Sequence, residues 1–324
     1  MKAVVCEKLG PPETLIVKDV EAAVAGAGEA VIEVKAAALN FFDTLIIEGK
    51  YQYRPDVPFS PGAEVAGIIK STGSGVSDLE VGDSVIAYLG WGGARQEVAC
   101  PVNRIVKIPG GISNEAAAGL TVTYGTTIHA LKDRANLQAG ETLAVLGASG
   151  GVGQAAIEIG KVMGARVIAC ASSADKLDFC KQLGADETIN YAETDLKTAL
   201  KELTGGKGAD VVYDPVGGDL AEQALRATGW NGRFLVIGFA SGDIPKLPHP
   251  QVLPKGCQVV GVFWGDHTER EPEKHQANMA TLLEWCRTGQ IKPHIYKTYT
   301  LDQTVDALKD LAERKVKGQA LVLP

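Results

Sequence analysis

Leu143–Gly153, LAVLGASGGVG, is the stretch whose residue types and spacing most clearly fit a chemistry. An apolar run leads into a turn of small residues, and the turn opens a helix. In a G-x-G-x-x-G frame the key positions are Ala148, Gly150 and Gly153, so alanine replaces the first glycine while Gly147 and Gly151 add backbone freedom. Gly150 has no side chain to hold a pyrophosphate off the backbone, and Gly153 lets the helix pack close to the strand. The backbone of Ser149, Gly150, Gly151, Val152 and Gly153 then faces an anion at the positive end of the helix dipole. Glycine turns also occur wherever a helix and a strand pack tightly. Here the strand–turn–helix context favours a dinucleotide site.

Such a site ordinarily places an Asp or Glu at the end of the next strand, where it holds the ribose hydroxyls of NAD. The next apolar run and its continuation, Arg166–Leu177, read RVIACASSADKL, and eighteen residues after Gly153 stands Ala171. Alanine offers nothing to a 2′-hydroxyl and leaves room for a larger group. Ser172 with Asp175 three residues on fits a helix capping box, which accounts for Asp175 without a ligand. Lys176 is less easily explained, because a cation in the first helical turn opposes the dipole by roughly a few tenths of a kcal/mol. A bound 2′-phosphate reverses that sign, and the hydroxyls of Ser172 and Ser173 can donate to it. The cofactor expected from these residues is NADPH.

These side chains need a frame, and the surrounding sequence supplies one. From about Ala116 apolar runs alternate with helical segments: ETLAVLGA, GGVGQAAIEIGKVMG, ARVIACA, ADKLDFCKQLG, ADVVYDPVG, DLAEQALRATG and GRFLVIGFA. That alternation predicts a parallel, doubly wound α/β sheet. Residues 1 to about 120 differ, with short β-like runs between Gly and Pro such as EAVIEVKAAAL, EVAGIIKST and DSVIAYLG, which predict a compact irregular β domain. CQVVGVFWG reads as a further buried strand, GDIPKLPHPQVLPKG before it as a proline-rich connection, and QALVLP as a terminal strand with which the chain returns to the first domain.

Composition excludes several classes. The chain has 324 residues, 45% hydrophobic and 22% charged, which suits about two soluble domains. A net charge of −7 without a long basic block argues against a nucleic-acid surface. No apolar run has the length of a membrane span, and MKAVVCEKLG lacks a secretory core, so no membrane partner is expected and the location expected is cytoplasmic. Cys6, Cys100, Cys170, Cys180, Cys257 and Cys286 are scattered without a CxxC pair, which predicts free, mostly buried thiols. The five histidines show no ligand spacing, and surface or loop positions are expected for most of them.

The motifs together carry a resemblance. KAVV, ALNFFDTLIIEGKY, PGAEVAGII, VGDSV, GASGGVGQ, LGADETINY, VVYDPVGG and KGQALVLP are similar, essentially end to end, to the medium-chain dehydrogenase/reductase superfamily, in particular its zinc-free, zeta-crystallin-like quinone oxidoreductase branch. The resemblance implies a GroES-like catalytic domain from residues 1–122 and 264–324, a Rossmann domain at 123–263 inserted between them, and an active site in the cleft between the two. Zinc-dependent alcohol dehydrogenase relatives bind catalytic zinc through a Cys, a His and a second Cys or an Asp. The aligned positions here are Asn40, Ala63 and Ala118, and Glu64 alone is not a zinc site. By the same resemblance the 2′-phosphate meets Lys176, Tyr191 and Arg314, and the nicotinamide lies by Gly238-Phe239 and Phe263-Trp264. A homodimer through the edge of the cofactor-domain sheet is also implied.

In the resembling enzymes an Asn and a Tyr line the acceptor site, here Asn40 and Tyr51, while Asp43 reads better as a structural hydrogen-bond acceptor than as a base. Without a Lewis acid the acceptor must already be electrophilic, so a small-molecule quinone or enone is expected. Asn40 or Tyr51 then stabilises the developing oxyanion, and Tyr51 or water supplies the proton. Reduction of 2-enoyl thioesters or other α,β-unsaturated carbonyls is the alternative. A non-enzymatic nucleotide-sensing or RNA-binding protein is the alternative of another class.

Overall fold

Short apolar runs in the first hundred residues form strands with mostly consecutive buried positions. In the computed structural model, which describes residues 1–324, β1 (Lys2–Val5) pairs antiparallel with β2 (Ile16–Asp19). β3 (Glu29–Leu39) runs straight into α1 (Phe41–Ile47), with Asn40 as its N-cap residue. β4 (Glu64–Thr72), β5 (Ser84–Tyr88), β6 (Glu97–Pro101), β7 (Ile105–Lys107) and α2 (Asn114–Ala118) follow. The Ser113 hydroxyl caps α2 by accepting from the Ala116 N–H at 3.2 Å.

AAAGLTVTYGTTIHALKD stays helical beyond α2, but the backbone loosens to π geometry over Leu120–Tyr124 and His129–Arg134, with α3 (Gly125–Ile128) between. β8 (Thr142–Leu146), α4 (Gly151–Val162), β9 (Arg166–Ala171), α5 (Ala174–Gln182) and β10 (Glu187–Asn190) form one half of a doubly wound sheet. α6 (Leu196–Leu203), β11 (Ala209–Asp214), α7 (Gly218–Ala227), β12 (Thr228–Val236) and β13 (Gln258–Gly261) complete it. The strand order is β10-β9-β8-β11-β12-β13, all parallel, so the order reverses between β8 and β11. Ligands of such sheets bind outside the carboxyl ends of the strands at that reversal. The proline-rich connection forms two short 3₁₀ turns and is pinned by Lys255, whose Nζ donates to Leu225 O at 2.6 Å and Arg226 O at 2.7 Å, carbonyls at the end of α7.

α8 (Trp264–Arg270), α9 (Pro272–Arg287), β14 (Ile295–Thr300), α10 (Thr304–Ala312) and β15 (Gln319–Leu323) end the chain. β15 pairs antiparallel with β3 (Ala320↔Leu39, Leu321↔Ala38) and parallel with β14, which builds the sheet β14-β15-β3-β4-β5-β7. The chain divides into a first unit, Met1–Val122 with Glu271–Pro324, and a second unit, Thr123–Arg270.

One sequence expectation changes here. CQVVGVFWG is not a buried strand: only Gln258–Gly261 pairs, as the edge of the sheet, and Val259 is exposed. The remainder turns into α8, and the Trp264 indole sits over Gly125, where an added Cβ would lie 2.8 Å from the ring. The second unit runs to Arg270 and so includes α8.

Candidate functional site

In the second unit, the turn after β8 carries its left-handed residue at Gly147 (φ +56°), so the reversal precedes Ala148 and alanine is tolerated there. Gly150 is the N-cap of α4, with extended backbone. A Cβ on Gly153 would sit 2.4 Å from Gly147 O and 2.6 Å from Ala148 Cα, so the helix start packs directly on the turn. At Gly150 the nearest such atom is 3.6 Å away, which leaves that side of the turn open. Ser149 is buried beneath it.

The end of β9 shows how the predicted phosphate residues come together. The β9–β10 ladder runs through Ala171↔Asn190, and the Tyr191 N–H donates to Ala171 O at 3.1 Å. That bond keeps the chain extended, so α5 starts at Ala174 with Ser173 as its N-cap. The Ser172–Asp175 capping box expected from sequence is not formed, and the Ser173 side chain makes no capping bond. Both serine hydroxyls are thus available beside the first turn of α5. Lys176, half-buried in that turn, has no acidic partner, whereas Lys161 and Arg166 nearby in sequence pair with Asp186 and Glu187. Tyr191 lies on the same strand ends. Arg314 belongs to the first unit, where it is exposed and left-handed (φ +58°) after α10.

Gly238-Phe239 follow β12 and are held against the end of β11. Ile237 N–H donates to Asp214 O at 2.9 Å and Ala240 N–H to Pro215 O at 2.9 Å. Asp214 itself shapes this turn: its Oδ1 accepts from Val216 N at 2.8 Å and Gly217 N at 2.9 Å, and burial pushes its carboxyl up to about 6. Phe263 is exposed past β13, next to the Val262 N–H that donates to Val236 O. Trp264 is buried in packing, whereas Phe263 is exposed. The glycine turn, Ser172, Ser173, Lys176, Tyr191, Gly238, Phe239 and Phe263 all lie at carboxyl ends of the parallel strands.

In the first unit, Asn40 begins α1 and is nearly buried, 7% exposed. Its Nδ2 donates to Glu64 Oε1 at 2.8 Å, and the Val122 N–H donates to Glu64 Oε2 at 2.8 Å. Asp43 accepts from the Asn40 N–H at 2.7 Å and the Gly62 N–H at 2.9 Å. Asp43 and Glu64 are fully buried, and burial pushes their carboxyls up to about 7 and about 8. Tyr51 stacks on Phe42 at 5.1 Å between centroids and meets Tyr53 edge-on at 5.7 Å. Burial, then Tyr53 and Asp43, push its phenol up to about 12, so it stays protonated as a donor. From sequence Glu64 reads only as a leftover of a metal site; its contacts with Asn40 and the backbone N–H groups of Thr121 and Val122 have no local signal.

The histidines differ from the surface placement expected. His129, His267 and His275 are buried. His129 Nδ1 lies 2.9 Å from Asp133 Oδ2, and its ring stacks on His267 at 3.8 Å and 16°. Donor atoms of His129, Asp133 and His267 lie within 4.8 Å of one another, but near-parallel rings aim their lone pairs side by side and do not converge on one ion. All six cysteines are free, five of them buried, as expected.

Comparison with known proteins places this geometry. Residues 26–110 match the alcohol dehydrogenase GroES-like domain family, and residues 151–284 the zinc-binding dehydrogenase family. A Nematostella vectensis protein named quinone oxidoreductase-like protein 2 homolog is 38% identical over 99% of this chain and 88% of its own length. A Pseudomonas aeruginosa quinone oxidoreductase is 33% identical, over 97% of each chain. The crystal structure of Escherichia coli quinone oxidoreductase complexed with NADPH superposes with a TM-score of 0.93 at 29% identity, covering 100% of both chains.

Proposed function

The chain belongs to the quinone oxidoreductase branch of the medium-chain dehydrogenase/reductase superfamily, and from that premise we propose that it reduces quinones with NADPH. The observation that carries the cofactor choice is Lys176, a cation without an acid partner in the first turn of α5, beside two uncommitted serine hydroxyls and an alanine where an NAD site has its acid. The open side of the turn at Gly150 fits a pyrophosphate, with Ser149, Gly151, Val152 and Gly153 presenting backbone to it. Ser172, Ser173, Lys176 and Tyr191 would hold the 2′-phosphate; Gly238, Phe239 and Phe263 would hold the nicotinamide. When bound, NADPH supplies the hydride.

The residues of the first unit then act on the acceptor. Asn40 donates from its carboxamide to the oxygen on which negative charge develops, and Tyr51 adds a second donor. A phenol held near 12 is a poor proton source, which favours water as the proton donor and leaves Tyr51 to orient the acceptor. What supports chemistry without zinc is the donor set. At the positions where the resemblance would put metal ligands stand the methyl groups of Ala63 and Ala118 and the neutral Asn40 carboxamide, which bring no Cys, His or carboxylate ligand among them. A polarised quinone needs no Lewis acid.

A homodimer formed through β13 and a cytoplasmic location belong to the same proposal. β13 is an exposed sheet edge, free reduced thiols suit a reducing compartment, and no helix is long and apolar enough to cross a membrane. The deciding experiment is initial-rate NADPH and NADH oxidation against benzoquinones, enals and enoyl-CoAs. Preference for NADPH with a quinone supports the proposal. Preference for an enoyl-CoA establishes the enoyl-thioester alternative. No turnover with any acceptor, together with RNA retention, supports the non-enzymatic one.

A further inference from the structure

Glu64 stands in the first unit with no role in the reaction as derived, yet it is completely buried behind Asn40. Three donors converge on its carboxyl: Asn40 Nδ2 on Oε1, and the Val122 and Thr121 N–H groups. An ionised carboxylate satisfies all three. A neutral carboxyl carries a proton of its own, which needs an acceptor in the same place. Backbone N–H groups cannot reverse. The Asn40 carboxamide can, by turning over so that Oδ1 accepts from Glu64 and the NH₂ faces the other way.

We infer that Glu64 is a positioning residue whose proton decides which end of the Asn40 carboxamide is offered to the acceptor. This rests on the reading of Asn40 as the residue that contacts the acceptor. With Glu64 neutral, Asn40 presents its NH₂ as an oxyanion donor; with Glu64 ionised, the NH₂ is drawn back to the carboxylate and the acceptor meets the amide oxygen. The groups facing Glu64 set where the change falls. Asp43 on α1 is the charged neighbour, and its proximity disfavours a second negative charge. Tyr88, opposite Glu64 on β5, is held neutral by burial, while Ala38 on β3 and the segment 118–122 bring no titratable side chain. The transition falls near pH 8, where burial, against the bonds from Asn40 and the backbone, has moved the Glu64 carboxyl.

Glu64→Gln is the informative variant, because it is a permanent copy of the protonated state. Its Oε1 accepts from the two backbone N–H groups and its Nε2 donates to Asn40 Oδ1. The test measures kcat and KM for p-benzoquinone from pH 6 to 9.5, NADPH binding by fluorescence, and the Asn40 side-chain NH₂ signals in asparagine-labelled protein, assigned by their loss in Asn40→Ala. In the wild type kcat should fall about a hundredfold across pH 8, as expected for one lost oxyanion donor at the low end of such effects, with NADPH affinity unchanged and the Asn40 signals moving at the same midpoint. Glu64→Gln should hold the low-pH rate and show static signals. Asn40 signals that stay fixed from pH 6 to 9.5 in the wild type overturn the inference whatever the activity. A Glu64→Gln enzyme that loses rate across pH 8 as the wild type does also overturns it. A wild type that turns over no acceptor but shows the moving signals keeps the proton-driven turn of the Asn40 carboxamide and removes the proposed function.

Discussion

Replacing Gly150 and Gly153 by alanine, one at a time, separates two jobs done by one turn. A Cβ at Gly153 would lie 2.4 Å from Gly147 O and 2.6 Å from Ala148 Cα, both backbone atoms that cannot rotate aside. Ordinary contact begins near 3.4 Å, so α4 must back away from the turn by roughly 1 Å. Overpacking of this kind costs about 1–3 kcal/mol, which lowers Tm by roughly 3–10 °C for a unit of this size. At Gly150 the corresponding approach is 3.6 Å and the backbone is extended (φ −78°, ψ 174°), so alanine is accommodated and Tm should move by no more than about 2 °C. The new methyl group instead projects where the pyrophosphate must approach. Loss of even one backbone hydrogen bond, about 1.4 kcal/mol, raises the NADPH Kd about tenfold. Thermal unfolding of the ligand-free proteins and NADPH titration by nicotinamide fluorescence measure the two effects. Gly150→Ala should keep its Tm and lose affinity; Gly153→Ala should lose both. Wild-type affinity in Gly150→Ala would refute the placement of the pyrophosphate, and an unchanged Tm in Gly153→Ala would refute the packing argument.

Lys176→Ala removes the unpaired cation beside Ser172 and Ser173. It should reduce kcat/KM for NADPH about ten- to hundredfold, the range of one charge-assisted hydrogen bond, and leave NADH kinetics unchanged; an equal loss with both cofactors would place Lys176 elsewhere. Asp43 and Glu64 bind protons in the folded state up to about pH 7 and about pH 8, but ionise near pH 4 when unfolded. The native state therefore holds more protons between those limits, and their contribution to stability declines as pH rises through that window. Asp43→Asn should flatten the decline by about 1 kcal/mol per pH unit between pH 5 and 7, read as the difference in unfolding free energy from the wild type; parallel curves would show that Asp43 is ionised throughout. Val259→Lys places a charge on the exposed edge strand β13 and should convert a dimer to monomers in sedimentation velocity with NADPH binding retained. A dimer that survives it uses another surface.

What was legible in the sequence follows from how far each feature reaches along the chain. The cofactor-binding sheet announced itself because strands buried on both faces need continuous apolar runs, such as TLAVL and RVIACA, and the helices between them are local. The start of α5 was misplaced by one residue because adjacent serines are equivalent caps in sequence. The choice between them is made by the Tyr191 N–H, which ties down Ala171 from another strand. CQVVGVFWG misled for a related reason: β13 can pair only while β12 lasts, and β12 ends at Val236, opposite Gly261.

Glu64 is the sharpest case. Its surroundings, PGAEVAGII, mark it only as an acid at the head of an apolar strand, and judged as a metal ligand it fails for want of partners. An acid in such a place must nevertheless be compensated, since an isolated buried charge is too costly to persist. That requirement alone says donors must exist, though not which ones. They come from residues 40, 121 and 122, and no spacing rule joins those positions to 64. Once they are seen, the substitution at the metal position acquires a physical content. Asparagine at 40 is a side chain with a donor and an acceptor on one rotatable group, set against a carboxyl that can exchange the same two roles. A cysteine there would offer only a weak donor and a weak acceptor, and an ionised aspartate would offer no donor at all.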